Sequence, residues 1–508
     1  MAYEVSSGRG SWLKPHLRRD DAAPKMGHPG SVFRLVVFAV AAVVLTAVMV
    51  WFGDGLEPWW PLMWFAPLLV LVFAVRSGWR AAAVVSFMGM MLGNFSMWHY
   101  FRAMGLPVLL WFGLYGTASV VFMAGVLLFR ALVLRGRAWA GVVSLPALMV
   151  CFEYVRNVAL PHGTAGSLAY TQLHFLPFLQ LASVTGLWGM TFVLMLFSTA
   201  LAAGFALRTG APGQAAGIVG GVAGLIAVVL VFGAVRLARP AGEMVKVGLI
   251  ASDAPGNARP TGRVEDTERL LGDYAAVAGR LVADGAQVVV IPEKLGVMPE
   301  VDAGKIDAIF QPLADRTGAT IVAGVERDTA SAKYNEARVY EPEFVVRTYD
   351  KHHLLPPFES YLTPGTTLTV LKKNSATWGV GICKDMDFTG LSRKDGLAGV
   401  GLMLVPAWDF GMDRTWHGHI AVMRGVESGF SMARAAKFGY LTVSDSRGRI
   451  VAETRSDAAP FATLVAEVPA AHRATFFLVA GDWFVWVAVG LLVWVLVEIG
   501  RVRRPKAS

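Results

Sequence analysis

A chain of 508 residues with 55% hydrophobic content, 16 tryptophans and only 16% charged residues, at a mean hydropathy of +0.51, is too apolar for an ordinary soluble protein. The formal charge of +9 is unevenly spread, because residues 242–480 hold 26 Lys+Arg against 29 Asp+Glu while the remainder holds 20 against 8. The basic surplus thus flanks apolar segments and forms no basic stripe with interleaved aromatics, which excludes a nucleic-acid binder.

In chain order, apolar runs centre on residues 32–52, 59–75, 81–99, 107–129, 139–157, 177–203, 215–235 and 483–499. They predict a membrane α-helical bundle of about eight spans, since about 20 apolar residues cross the hydrocarbon as a helix. The second and last runs are short, and the sixth is long enough to tilt or break. Arg9, Lys14, Arg18, Arg19 and Lys25, then Arg76, Arg80, Arg130, Arg135 and Arg137, and finally Arg501, Arg503, Arg504 and Lys506 fall on one side if the spans alternate. The positive-inside rule puts that side in the cytoplasm. The expected order is a cytoplasmic tail (1–31), seven spans (32–241), an outward-facing domain (242–480), a final span (481–500) and a second cytoplasmic tail (501–508). The first span, preceded by a long polar stretch, reads as an anchor and not a cleaved signal. Glu153 and Arg156, at helical spacing near a membrane edge, fit an interfacial ion pair and a functional group equally.

The segment 242–480 alternates between two periodicities, which predicts an α/β domain. MVKVGLIASD, AQVVVIPE, ATIVAGVE, ARVYEPEFVVRTYD, TWGVGICKD and VGLMLVP predict strands, and their near-continuous apolar character requires helices covering the sheet. VEDTERLLGDYAAVAGRLVADG, KIDAIFQPLADRTG and HIAVMRGVESGFSMARAA have helical spacing. SDSRGRIVAE predicts a hairpin with Arg447 and Gly448 in its turn.

Three of these strands end in reactive side chains: Glu293, Lys351 and Cys383. A carboxylate, an amine and a thiol at strand exits supply a base, a cation and a nucleophile, the parts of a covalent acyl-enzyme. A free thiol is mostly protonated at neutral pH, so Cys383 needs a neighbouring base or cation. Glu293 is assigned as general base, and Lys351 as the charge facing the tetrahedral oxyanion, aided by the backbone N–H of Lys384. Glu359 is expected to be a second carboxylate tuning proton transfer. Trp408 and Phe410 fit an acyl-binding wall and simple packing equally. His352 and His353 read as surface or packing residues. The other cysteine, Cys151, lies in the fifth apolar run, so no disulfide is expected. No Cys/His spacing points to zinc, and no metal or cofactor is expected.

The strings around these residues resemble the nitrilase, or carbon–nitrogen hydrolase, superfamily. The triad order is joined by KYNEARVY (333–340), the eight-residue step from Lys351 to Glu359, LVPAWDFG (404–411), HIAVMRGVESGFSMARA (419–435) and the hairpin. With EYVR (153–156), LASVTGLWGMTFVL (181–194) and GDWF (481–484), the whole chain resembles the bacterial apolipoprotein N-acyltransferase family. The resemblance implies an αββα sandwich carrying a Glu-Lys-Cys triad in the bacterial inner membrane, with the catalytic domain on the periplasmic side. It further implies a phospholipid acyl donor and an apolipoprotein acceptor whose N-terminal diacylglyceryl cysteine is acylated through a thioester. Three positions depart from the family: Lys384 with Asp385 replaces a Tyr-Glu pair, Ile291 with Pro292 stands where a Trp is usual, and SDAPGNARP lacks an aromatic. Asp385 is expected to replace the missing glutamate in part. These departures keep open a membrane-tethered amidase, an acyltransferase for another amine, or an inactive scaffold.

Overall fold

The computed structural model describes residues 29–257, 262–373 and 376–503, so the basic cluster from Arg9 to Lys25 and the end of the C-terminal tail lie outside the described residues. Among the described residues, seven helices are long and apolar enough to cross a membrane: Val32–Gly53, Trp79–Ala103, Val108–Val133, Ala138–Ala159, Leu187–Leu207, Pro212–Ala238 and Trp483–Arg501. The expected second span is not among them, so the count is seven and not eight: its residues form two short helices, Leu62–Phe65 and Leu68–Ala74. Pro67 interrupts them because it has no N–H to donate and its ring crowds the preceding turn. The long sixth run also breaks, into Leu176–Leu179, Ala182–Thr185 and Leu187–Leu207. On the first helix Phe33, Val36, Val40, Val44 and Val48 are exposed, as expected of a face turned to lipid tails.

The second half of the chain folds as two stacked sheets. Its strands are β1 (Met244–Ala251), β2 (Val288–Val290), β3 (Val297–Pro299), β4 (Thr320–Asp328), β5 (Lys333–Tyr340), β6 (Arg347–Asp350), β7 (Thr369–Lys372), β8 (Thr377–Val380), β9 (Leu402–Trp408), β10 (Ser431–Lys437), β11 (Tyr440–Ser444), β12 (Ile450–Arg455) and β13 (Ala462–Pro469). One sheet runs β13-β1-β2-β4-β5-β6, with β3 beside β4, and the other runs β12-β11-β10-β9-β8-β7. Each is built around three parallel strands, β1, β2 and β4 in the first and β8, β9 and β10 in the second.

Burial on both faces explains the near-continuous apolar strands. Val247, Leu249 and Val290 meet Leu404, Ala433 and Val443 between the sheets. Ile250, Val289 and Ile321 point the other way, onto Leu271, Tyr274 and Phe310 of the covering helices Val264–Ala283 and Ala303–Thr317. The first of these helices carries Glu265 and Asp266 in its opening turn and Arg280 in its last, matching the sign of the helix dipole at each end.

The string 419–436, expected to be one helix, divides. Residues Arg414–Ser428 are helical, Gly429 closes them at φ +79, and β10 follows. A left-handed cap is the usual role of glycine after a helix, and all seven residues of β10 are buried, as a central strand requires. The expected hairpin is present as β11 and β12. Every residue from Gly418 to Ser428 is buried, because this helix lies between the second sheet and the bundle. Ile420, Met423 and Val426 share one apolar core with Leu179, Leu187 and Trp188. The two halves are therefore packed together, not tethered by a linker.

Candidate active site

Glu293 follows β2, Lys351 follows β6, Cys383 follows β8 and Trp408 ends β9, so the carboxyl ends of both sheets contribute to one pocket of about 320 Å³. Its polar lining consists of Glu293, Lys294, Lys351, Glu359, Cys383, Lys384 and His417, and its apolar wall is Leu355, Phe358, Tyr361, Trp408 and Phe410. Ligand sites in sheets with parallel centres form at this edge because the strand exits converge there.

The charges in the pocket are tied together. Lys351 Nζ donates to Glu293 Oε1 and to Glu359 Oε2, both at 2.8 Å. Asn335 Nδ2 bridges the other way, to Glu293 Oε1 at 2.5 Å and Glu359 Oε1 at 2.8 Å. Burial alone would lower the Lys351 ammonium, but Glu293 and Glu359 outweigh it and hold the group well above its ordinary range. Burial likewise acts to raise Glu359, and Lys351 reverses it, so this carboxyl lies below the usual range. Lys351 is thus a fixed cation. Glu293 Oε2 is buried and, among the described residues, has no hydrogen-bond partner, which leaves one lone-pair face of the carboxylate open to a proton from a thiol or an amine.

Cys383 is half-buried and sits at φ +43, a region that side-chain-bearing residues seldom occupy. It begins the 3₁₀ turn Cys383–Asp387, so the N–H groups of Cys383 and Lys384 lead a helical turn and point outward from it. Its Sγ lies 3.6 Å from the carbonyl oxygen of Trp408. Burial pushes the thiol well above its usual range, Glu293 adds to that, and Lys351 opposes it. Burial thus favours the protonated thiol as the resting form of Cys383.

Asp385 does not line the pocket. Its Oδ1 accepts from the backbone N–H groups of His352 and His353, at 3.2 and 2.8 Å, and its Oδ2 accepts from Tyr349 Oη at 2.8 Å and Ile382 N at 3.1 Å. The carboxylate ties the Cys383 turn to the segment carrying Lys351, so it supports the site by position and not by proton transfer. Asp385→Ala would strand three backbone donors and a tyrosine hydroxyl in a buried space. We expect it to lower stability by about 3 kcal/mol or more, visible as a reduced melting temperature. Asp385→Asn keeps the shape and one acceptor oxygen but turns an NH2 group toward a backbone donor, so it should also lose stability, though less than the alanine variant.

Lys384 Nζ pairs with Asp387 Oδ2 at 3.2 Å and approaches His162 Nδ1 at 3.4 Å. His162 belongs to a loop between the membrane helices, and this loop abuts the Cys383 turn. Thr164 N and Oγ1 donate to the carbonyl of Asp387 at 3.0 and 2.7 Å. Gly163 is at φ +53, and a Cβ there would lie 2.5 Å from that same oxygen, so the close approach needs glycine. Glu153 anchors the loop by accepting from Ser167 Oγ, Leu168 N and Thr191 Oγ1. The Glu153–Arg156 ion pair is not formed: Arg156 is directed instead to the carbonyl of Ala165.

Trp408 and Phe410 both line the pocket. Beneath Trp408, the ammonium of Lys437 sits 3.7 Å from the ring centre and donates to the carbonyl of Lys294 at 2.9 Å; burial brings its pKa down to about 7. Phe410 is fixed through its N–H to Asp413, whose carboxylate also receives His417 Nε2 and, from the membrane helices, Tyr100 Oη. His352 and His353 give backbone donors to Asp385, and the His353 ring stacks on Phe388 at 3.5 Å. Lys294, Asn335, Lys437, His162 and His417 were not anticipated from sequence. Asn335 lies inside the quoted string KYNEARVY and Lys294 directly follows Glu293, so both were within reach of a closer reading. Among the described residues, no group of three His, Cys, Asp or Glu side chains is placed to hold a metal ion.

A carbon–nitrogen hydrolase domain built onto a membrane bundle defines the class of this protein, and two family models divide the chain accordingly. The apolipoprotein N-acyltransferase N-terminal domain matches residues 46–200, and the carbon–nitrogen hydrolase domain matches residues 257–474. An apolipoprotein N-acyltransferase of Geobacter metallireducens is 30% identical over 396 residues, covering 70% of this chain and 74% of the relative. One from Haemophilus ducreyi is 24% identical over 401 residues, covering 71% and 75%. This chain belongs to the apolipoprotein N-acyltransferase family. Among solved structures, Nit3 of Saccharomyces cerevisiae, a nitrilase-superfamily member, aligns with 45% of this chain and 92% of its own at 20% identity and a TM-score of 0.38.

Proposed function

We propose that the protein moves a fatty acyl chain from a membrane phospholipid to Cys383, and from there to the N-terminal amine of a diacylglyceryl-cysteine apolipoprotein. The observation that carries this reading is the meeting of Glu293, Lys351 and Cys383 in one aromatic-walled pocket that abuts a membrane-domain loop. Glu293 Oε2 takes the thiol proton as Sγ attacks the ester carbonyl. Lys351 Nζ and the leading N–H groups of the Cys383 turn face the developing oxyanion. Collapse breaks the ester C–O bond, the glycerol oxygen leaves with the proton from Glu293, and a lysophospholipid departs. The acceptor amine then attacks the thioester and gives a proton to Glu293, and the proton returns to Sγ as the amide forms.

The test of this function is the intact mass of a lipoprotein produced with and without the protein. N-acylation adds one fatty-acyl mass to the mature N-terminus, and an unchanged mass would leave the fold standing and remove the lipoprotein role.

We also propose that the domain of residues 242–480 lies outside the cytoplasm, which is what the arginine-rich breaks support. A reporter active only outside the cytoplasm should work when fused near residue 300 and be silent after residue 505. The reverse pattern would overturn the orientation.

A further inference from the structure

The membrane helix Pro212–Ala238 ends where the hairpin turn between β11 and β12 meets it, and a cavity of about 260 Å³ opens at that junction. Arg239, Arg447, Arg449 and Arg473 line it, and Arg236 stands behind, its guanidinium on Gln180 and Ser446. Asp445 is the single carboxylate in the lining, and it pairs with Arg449 at 3.2 Å. Among the described residues, Arg236, Arg239, Arg447 and Arg473 have no carboxylate within ion-pairing distance. The buried arginines elsewhere in this half differ: Arg338, Arg424 and Arg434 each have one.

Part of this charge is explained by the helix end. Arg447 donates to the carbonyls of Leu237, Arg239 and Pro240, Arg449 to that of Leu237, and Arg473 to that of Pro240. Such carbonyls carry roughly half a negative charge in total, far less than the surplus of arginine over aspartate here. Arg447 is only 5% exposed, and a buried cation without an opposing charge is costly. An anion would complete the cavity. The same helix supplies a second observation: Val228, Val231 and Val235, one to three turns before Arg239, are exposed along its outer face. Apolar side chains beneath an arginine cluster at the end of a spanning helix suit acyl chains beneath a phosphate.

We propose that this cavity binds the phosphate of an anionic membrane phospholipid, as a lipid site separate from the acyl-transfer pocket. The two cavities share no lining residue. The four guanidiniums without a carboxylate partner repel the ammonium of a zwitterionic headgroup, so the site selects for net negative charge, and the bound lipid clamps the hairpin to the helix end. The site depends on the protein lying in a bilayer and not on the thioester chemistry.

The experiment uses the purified full-length protein, stripped of lipid in detergent. Its melting temperature and retained lipid are measured with phosphatidylglycerol, phosphatidylcholine or inorganic phosphate, for the wild type and for Arg239→Gln/Arg473→Gln, two positions on the cavity rim. Phosphatidylglycerol should be retained and should stabilise the wild type, phosphatidylcholine should not, and the double variant should bind phosphatidylglycerol roughly 10-fold or more weakly. Labelling of Cys383 by a thiol probe, equal in both proteins, shows that the variant is folded. Equal binding of the two lipids, or an unaltered affinity in a folded double variant, would overturn the proposal. Full stabilisation by inorganic phosphate alone would overturn the lipid assignment in favour of a free oxyanion.

Discussion

Lys351→Met should insert and fold but lose about 100-fold or more in turnover, on the order of 3 kcal/mol of transition-state stabilisation. The substitution acts twice. It removes the cation proposed to face the oxyanion, and it leaves Glu293 and Glu359 sharing the amide of Asn335, with the Leu355 N–H and the Lys294 ammonium, 3.7 Å away, as the remaining partners of Glu359. Without the ammonium between them the two buried carboxylates repel each other, which favours uptake of a shared proton by the pair and works against proton abstraction. The residual rate should therefore climb with pH, as the shared proton is released from a carboxyl whose pKa the lost cation had kept low. The measurement is acyl transfer by purified protein across pH, beside a melting curve that confirms folding. A folded variant with near-normal turnover would remove Lys351 from the chemistry.

Part of this site could be read from the sequence because Glu293 and Cys383 close the apolar runs VVVIP and GVGI. Lys351 instead follows the mostly polar string RTYD, a half-exposed strand with less signal in its composition, and the fold places all three at one edge. What could not be read depends on distant contacts. Nothing local in PHGTAG indicates that Gly163 and Thr164 press against the carbonyl of Asp387, more than 200 residues later. The same holds for Tyr100 reaching Asp413. The division of HIAVMRGVESGFSMARAA was missed for another reason. Small, evenly apolar residues such as those of SMARAAK suit a buried strand and a helix equally, and periodicity cannot decide between them. Gly429 was the available signal. Pro67, which breaks the second membrane run, was a comparable one.

The departures around the nucleophile also become interpretable in physical terms. Lys384 is neutralised by Asp387 and held beside His162, so it adds no unpaired charge next to Cys383. Asp385 is fully engaged with backbone donors and Tyr349. Neither residue displaces the Glu293–Lys351–Glu359 network, and these contacts argue against the inactive-scaffold reading.

The decisive expectation is that purified protein given phosphatidylethanolamine alone accumulates an acyl group on Cys383. A thiol held well above its usual pKa by burial needs a base to react, and in the proposed mechanism Glu293 fills that role, so the first half-reaction needs no acceptor amine. The resulting thioester must then outlast the surrounding water. Phe358, Tyr361, Trp408 and Phe410 wall the pocket, and once acyl methylenes fill that space little room is left for a hydrolytic water. An amidase, in which water is the second substrate, would not hold this state. Intact mass spectrometry should show an increase of one fatty-acyl mass that hydroxylamine reverses, and two-substrate kinetics should be ping-pong. Cys383→Ala removes the atom that carries the acyl group, so the mass increase should vanish and turnover should fall by roughly 10⁴-fold or more. Product formation by the wild type with no trapped acyl-enzyme, or sustained turnover by the alanine variant, would show that transfer does not pass through this cysteine.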